Sequence, residues 1–279
     1  MEQIVYVIAR KRTGTTSLEE ALGQIPDAYN LGETFHLQKP EVDNFYRFLA
    51  NESLGDWRFA HPDFLQQGWE RFLRTVCDRE SKQRLIVDLK LDYLEVLPGI
   101  LWDWDALPDR RLSQIRIPKI LFVENVVTKI VYLRRRNLLA RLVSEKRART
   151  TDWWGTQHGY EDHPLVKEKN SLKRPLHMPS QALISQIEWE TQEGDFFAEL
   201  LPKLADTTVI YYEDLYDSQE AFSSLALDRL MDFLGAPRFE TRQWPVNVKQ
   251  SRETFEQVIE NAEEVRLALD RHGYGWMWQ

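Results

Sequence analysis

The chain has 279 residues, 43% hydrophobic and 12% aromatic, which is enough for one substantial core in a single α/β domain spanning 1–279. A formal net charge of −8 argues against a surface that neutralises nucleic-acid phosphates, so no nucleic-acid partner is expected and local basic clusters are read as sites. Cys77 is the sole cysteine, which excludes an intrachain disulfide and points to a reduced, cytoplasmic setting, and the lack of any long apolar run predicts no membrane span.

The first predicted element is a strand over 3–9, where Ile4, Val5, Tyr6, Val7 and Ile8 form a continuous apolar run suited to a parallel sheet buried on both faces. The run is too short for a signal peptide, and Arg10, Lys11 and Arg12 follow at once. Residues 10–14 then read as a tight loop opening a helix over 15–23, with Leu18, Ala21 and Leu22 at helical spacing. Backbone amides at a helix start, aided by the helix dipole, bind anions. In the frame of the ATP-binding pattern G-x-x-x-x-G-K-[ST], Gly14 falls on the second glycine and Thr16 on the closing hydroxyl, whereas Ala9 replaces the first glycine and Thr15 the lysine. The cation stands instead at Arg12, beside Lys11 and Arg10. That suits a donor with a single transferring group and no magnesium-bridged triphosphate.

A short strand over 28–31, adjacent to the first, would bring Glu33 out at the same sheet edge as the loop, where α/β sheets bind ligands. Glu33 and, second, His36 are the candidates for a general base. Further strands are predicted over 84–89, 119–123, 128–134 and 207–212, and helices over 63–80, 137–149, 180–201, 219–234 and 252–271. The alternation predicts a P-loop-type three-layer α/β fold with a mostly parallel central sheet flanked by helices. Asp88 ends its strand as a magnesium-holding acid would, but without the loop lysine it reads as structural.

The strand over 128–134 leads into Arg134, Arg135 and Arg136, and Ser144 lies eight residues beyond Arg136 in the next helix. An arginine fork and a hydroxyl about two helical turns on can meet one phosphate. The polar segment 151–179, punctuated by Pro164, Pro175 and Pro179, reads as an acceptor-side lid. Its His158, His163 and His177 lack zinc-ligand spacing, and no metal site is expected. His61, before Pro62, reads as a turn residue. Trp102, Trp104, Trp153 and Trp154 suggest stacking on sugar rings, although large aromatics mostly fill cores.

Arg12-Thr13-Gly14-Thr15-Thr16 after the first strand, with Arg136 and Ser144 after a later one, resembles the donor motifs of sulfotransferases that use 3′-phosphoadenosine-5′-phosphosulfate (PAPS). The chain looks closest to the bacterial trehalose-sulfotransferase-like branch, whose second motif is similar to Leu133 through Ser144, followed by Arg147-Ala148-Arg149 and Trp153. Tyr212-Glu213-Asp214-Leu215, Phe233-Leu234-Gly235, and the tail from Val258 to Val265 with Gly273-Tyr274 extend the resemblance along nearly the whole chain. Residues 36–82 and the lid match nothing in it. Asn137 stands where that branch often has Asp, and Thr13 and Thr15 where it has serines.

The resemblance implies transfer of a sulfuryl group from PAPS to a hydroxyl on a small-molecule or glycan acceptor. It implies Lys11, Arg12, Thr13, Gly14, Thr15, Thr16 and Ser17 on the 5′-phosphosulfate, with Arg12 also at the transferring sulfonate. Arg136 and Ser144 would hold the 3′-phosphate, and Glu33 would be the base. The residues alone leave two alternatives: a P-loop kinase of a small metabolite, and a non-catalytic nucleotide-binding module. The acceptor and the oligomeric state, a homodimer included, stay open.

Overall fold

A computed structural model describes residues 1–36, 43–52, 62–91, 121–151, 174–218, 221–238 and 253–279. The chain divides into two compact units. The first comprises Met1–Leu133, Leu200–Ile210 and Asp228–Thr241, and the second comprises Arg134–Glu199, Tyr211–Leu227 and Arg242–Gln279.

The first unit is built on a parallel sheet of five strands: β1 (Gln3–Ala9), β2 (Ala28–Gly32), β3 (Arg84–Lys90), β4 (Val127–Arg134) and β5 (Asp206–Tyr211). Their spatial order is β2-β3-β1-β4-β5, which confirms the three-layer α/β class. β1 is central, hydrogen-bonded to β3 on one side and β4 on the other, and all seven of its residues are buried. A strand covered on both faces has no solvent side to alternate with, which is why its apolar run is unbroken. The expected neighbour of β2 is corrected: it pairs with β3, from Ala28 opposite Arg84 onward, and not with β1. The pairing is parallel, so β2 still ends at the same sheet edge as β1.

Helix α1 (Thr15–Leu22) lays the fully buried Leu18 and Leu22 under the sheet. Each such side chain contributes about 1.5–3 kcal/mol of transfer free energy. Helices α2 (Phe45–Glu52) and α3 (Pro62–Glu80) build an aromatic cluster of Phe35, Phe45, Trp69 and Phe72. The Trp69 ring lies 4.8 Å from that of Phe35, and its indole nitrogen donates to the Tyr6 hydroxyl on β1. No helix is expected over 45–52 from the sequence, yet Phe45, Tyr46 and Leu49 bury one face of it.

The run over 119–123 is not a strand where it is described. Leu121 is in a helical turn, and Phe122 and Val123 are in neither helix nor strand. Side chains satisfy its carbonyls in place of a neighbouring strand: Tyr6 donates to Leu121 O at 2.6 Å, and Gln66 to Phe122 O at 3.3 Å. Residues 119 and 120 lie outside the described residues.

The second unit holds α4 (Leu138–Thr151) and most of α5 (Ser180–Leu200). It also contains a short hairpin of β6 (Tyr216–Ser218) and β7 (Ala221–Phe222). Helix α6 (Ser224–Leu234) starts in this unit and ends in the first. The helix expected over 219–234 therefore begins at Ser224, after β7. The one expected over 252–271 is broken into α7 (Phe255–Val258) and α8 (Ala262–Arg271). The break serves pairing, since Leu176 N donates to Val258 O and Glu260 N to Leu176 O. Leu139, Val143, Ile184, Ile187, Val265 and Leu269 form the core of this unit. Most of the expected lid, with His158, His163, Trp153 and Trp154, lies outside the described residues, as do His61, Trp102 and Trp104.

Candidate active site

At the C-terminal edge of the sheet, β1 runs into a loop whose backbone is unusual. Arg12 has φ +64° and Gly14 has φ +89°. The left-handed region suits glycine but costs an arginine roughly 1–2 kcal/mol, a strain that persists only where surrounding contacts fix it. Thr13, buried between the two, donates through its hydroxyl to Arg10 O at 2.6 Å and closes the turn. Gly14 then caps α1 without any side-chain cap, and the first turn of that helix carries no acidic residue. The amides of the first turn accordingly face the loop with no intrahelical partner, which is the geometry of an anion site. Arg10, Lys11 and Arg12 are each half-buried beside it.

Two periodicities meet behind this loop. Along α1, Thr15 and Glu19 share a face at i, i+4, and along β3, Asp88 and Lys90 share a face at i, i+2. These two faces pack together, and all four residues are buried. The Lys90 ammonium donates to Thr15 Oγ1 and to an Asp88 oxygen, and it stands 3.7 Å from Glu33 Oε1. Thr15 occupies the position where an ATP-binding loop would carry its lysine, and an ammonium from the neighbouring strand reaches its hydroxyl.

Glu33 is placed by the residues around it. Asn30 accepts from Gly32 N through its side chain, and Gly32, at φ +61°, turns the chain out of β2. Thr34 donates to Asp43 O at 2.6 Å, Phe45 N donates back to Thr34 O, and Phe35 enters the aromatic cluster. The Glu33 side chain keeps 17% of its surface exposed, so it is at once next to a buried cation and open to solvent. His36 is fixed through its backbone, its N–H donating to Glu33 O and its carbonyl accepting from Asn44.

The electrostatics of the cluster follow from burial. Desolvation first, and then the charge of Asp88, pushes the Glu19 carboxyl well above the usual carboxylate range. Burial likewise raises Asp88, against the opposing pull of Lys90. For Lys90, burial acts to lower the pKa, but Asp88, Glu33 and Glu19 together outweigh it and raise the value. Both carboxyls are thus pushed up, Glu19 the more strongly, while Lys90 is pushed toward its charged form. Glu19 Oε2 and Asp88 Oδ1 have no hydrogen-bond partner among the described residues, and the proton of a neutral Glu19 fits between these two carboxyls.

Arg136 and Ser144 belong to the second unit. Arg136 is exposed, with its guanidinium 4.1 Å over the Tyr211 ring and its two terminal nitrogens on the two oxygens of Asp214, at 2.6 and 2.7 Å. Glu213 accepts from the backbone amides of Arg136 and Asn137, both at 3.0 Å, and so occupies the N-terminus of α4. Ser144 is half-buried on that helix. The arginine fork is therefore already engaged by a carboxylate.

Sequence reasoning did not single out Lys90 or Glu19. The signal was the alternation of Asp88 and Lys90 on one face of an otherwise apolar strand, which a strand prediction ending at 89 cuts in half. No family model matches the chain, and no curated protein matches its sequence.

Proposed function

We propose that this chain is a sulfotransferase that moves the sulfuryl group of PAPS to a hydroxyl acceptor, with Glu33 as general base. One observation carries the reading: Glu33 Oε1 lies 3.7 Å from the Lys90 ammonium, which itself donates to Thr15 in the first turn of the helix behind the phosphate loop. A carboxylate open to solvent and an anion-binding loop are thereby joined through a single buried cation. In the proposed reaction Glu33 takes the acceptor's hydroxyl proton and the freed oxygen attacks sulfur. The bond from sulfur to the bridging phosphate oxygen breaks, and 3′-phosphoadenosine-5′-phosphate (PAP) leaves. Arg12 and the first-turn amides of α1 would neutralise charge on the leaving phosphate.

In this reading Arg136 and Ser144 hold the 3′-phosphate, an assignment resting on their spacing after β4 and on the fork geometry of arginine. A sugar or glycolipid hydroxyl is the preferred acceptor, and a reduced compartment fits the single free cysteine, Cys77.

A small-metabolite kinase is the second reading, favoured by Asp88 at the end of β3. Against it, the Asp88 carboxylate is committed to Lys90. The test is incubation with radiolabelled PAPS and a panel of mono- and disaccharides. Label appearing in the sugar fraction supports the proposal; labelled ATP serving as donor where PAPS does not would replace it with the kinase.

A further inference from the structure

Lys90 has three ammonium protons and, among the described residues, three oxygen-bearing side chains in contact with its ammonium: Thr15, Asp88 and Glu33. Two of the three donors are spent inside the buried cluster, on the helix and on its own strand. The remaining one faces the only member of the group that reaches solvent. We infer that Lys90 is a positioning residue, whose ammonium, anchored on Thr15 and Asp88, orients the Glu33 carboxylate at the mouth of the phosphate loop. This assignment rests on the reading of Glu33 as the base, but the ion pair itself can be tested without it.

Among the described residues, the groups packed against Lys90 come from three elements. Glu19 and Thr15 lie on α1, Asp88 on β3, and Glu33 in the turn after β2. Asp88 and Glu33 both lie against the Lys90 ammonium, so they share its charge. Asp88 is the closer partner of the two. Asp88 thus tempers the pull of Lys90 on Glu33.

The experiment follows the titration of Glu33 by carboxyl-carbon NMR of glutamate-labelled protein, with the resonance assigned by its loss in Glu33→Gln. A background carrying Asp88→Asn and Glu19→Gln leaves the ammonium facing Glu33 alone, and its Glu33 titration is expected below that of the wild type. Adding Lys90→Met to this background removes the cation without leaving a buried carboxylate unpaired. Its Glu33 titration is expected about one to three pH units above that of the background, the range for a cation within a few ångströms. Equal midpoints in background and triple variant overturn the assignment. If the triple variant does not fold, the comparison of background with wild type decides, and an unmoved midpoint there overturns it equally. A shift as expected, together with full turnover in Glu33→Gln, would uphold the pairing and reject Glu33 as base.

Discussion

Glu33 stands 3.7 Å from Lys90, close enough to be held by its charge and too far for a direct hydrogen bond. If it is the base, Glu33→Gln preserves the shape of the turn and removes the proton acceptor. Turnover with PAPS should fall about 10²–10⁴-fold while PAP affinity stays within about threefold, measured by radiolabel transfer and by calorimetry. Equal loss of both would mean that Glu33 serves the nucleotide and not the proton.

Glu19 gives a prediction about stability. A carboxyl whose folded pKa exceeds its unfolded value favours folding at low pH, and that contribution is lost as pH rises from the unfolded value toward the folded one. The Glu19 pKa is raised well above 4.5, so its penalty grows from about pH 4.5 upward. Glu19→Gln mimics the neutral acid and carries no such penalty. Thermal melts should show the variant a few °C above the wild type near pH 8, about the shift of 1 kcal/mol in a chain of this size, with the gap closing toward pH 4. A gap that widens on acidification would contradict the neutral assignment.

Gly14→Ala tests the loop. A Cβ at φ +89° costs roughly 1–2 kcal/mol, read as a lowered urea midpoint. If the first-turn amides of α1 bind the donor, PAP affinity should fall with it, since relaxing the strain turns those amides away. Stability lost with affinity unchanged would place the donor elsewhere.

The Arg136–Asp214 pair makes a prediction of opposite sign. Both side chains are substantially exposed, 42% and 55%, so the pair holds Arg136 by no more than about 1 kcal/mol. A 3′-phosphate with a charge near −2 outbids that carboxylate. Asp214→Asn should therefore tighten PAP binding by up to about fivefold, and Arg136→Ala should weaken it at least about tenfold, both by calorimetric titration. Weaker binding in Asp214→Asn would mean that Asp214 belongs to the site and is not its competitor.

The sheet was readable because β1 and β3 are buried throughout and β4 over Ile130–Leu133, and their apolar runs announce it. The position of β2 was not, because Ala28, Tyr29 and Asn30 say only that a strand exists; pairing with β3 is decided by register, seen in Ala28 opposite Arg84. The breaks around Ile259 and before Ser224 arise from pairing with distant residues, which helical periodicity does not encode. Arg12, Gly14 and Glu33 belong to local features, a strand end, a helix start and the turn after β2, so their places at the sheet edge were legible, while their roles rest on the proposal. Lys90 was not, because its meaning depends on Thr15 and Glu19, which lie some 70 residues earlier.

The most direct measurement of the central claim is calorimetric titration of the full chain with PAP in the absence of magnesium, beside ATP with magnesium. Binding of PAP without the metal, lost in Arg12→Ala and in Arg136→Ala, is the predicted result. Binding of ATP-magnesium with none of PAP would contradict it.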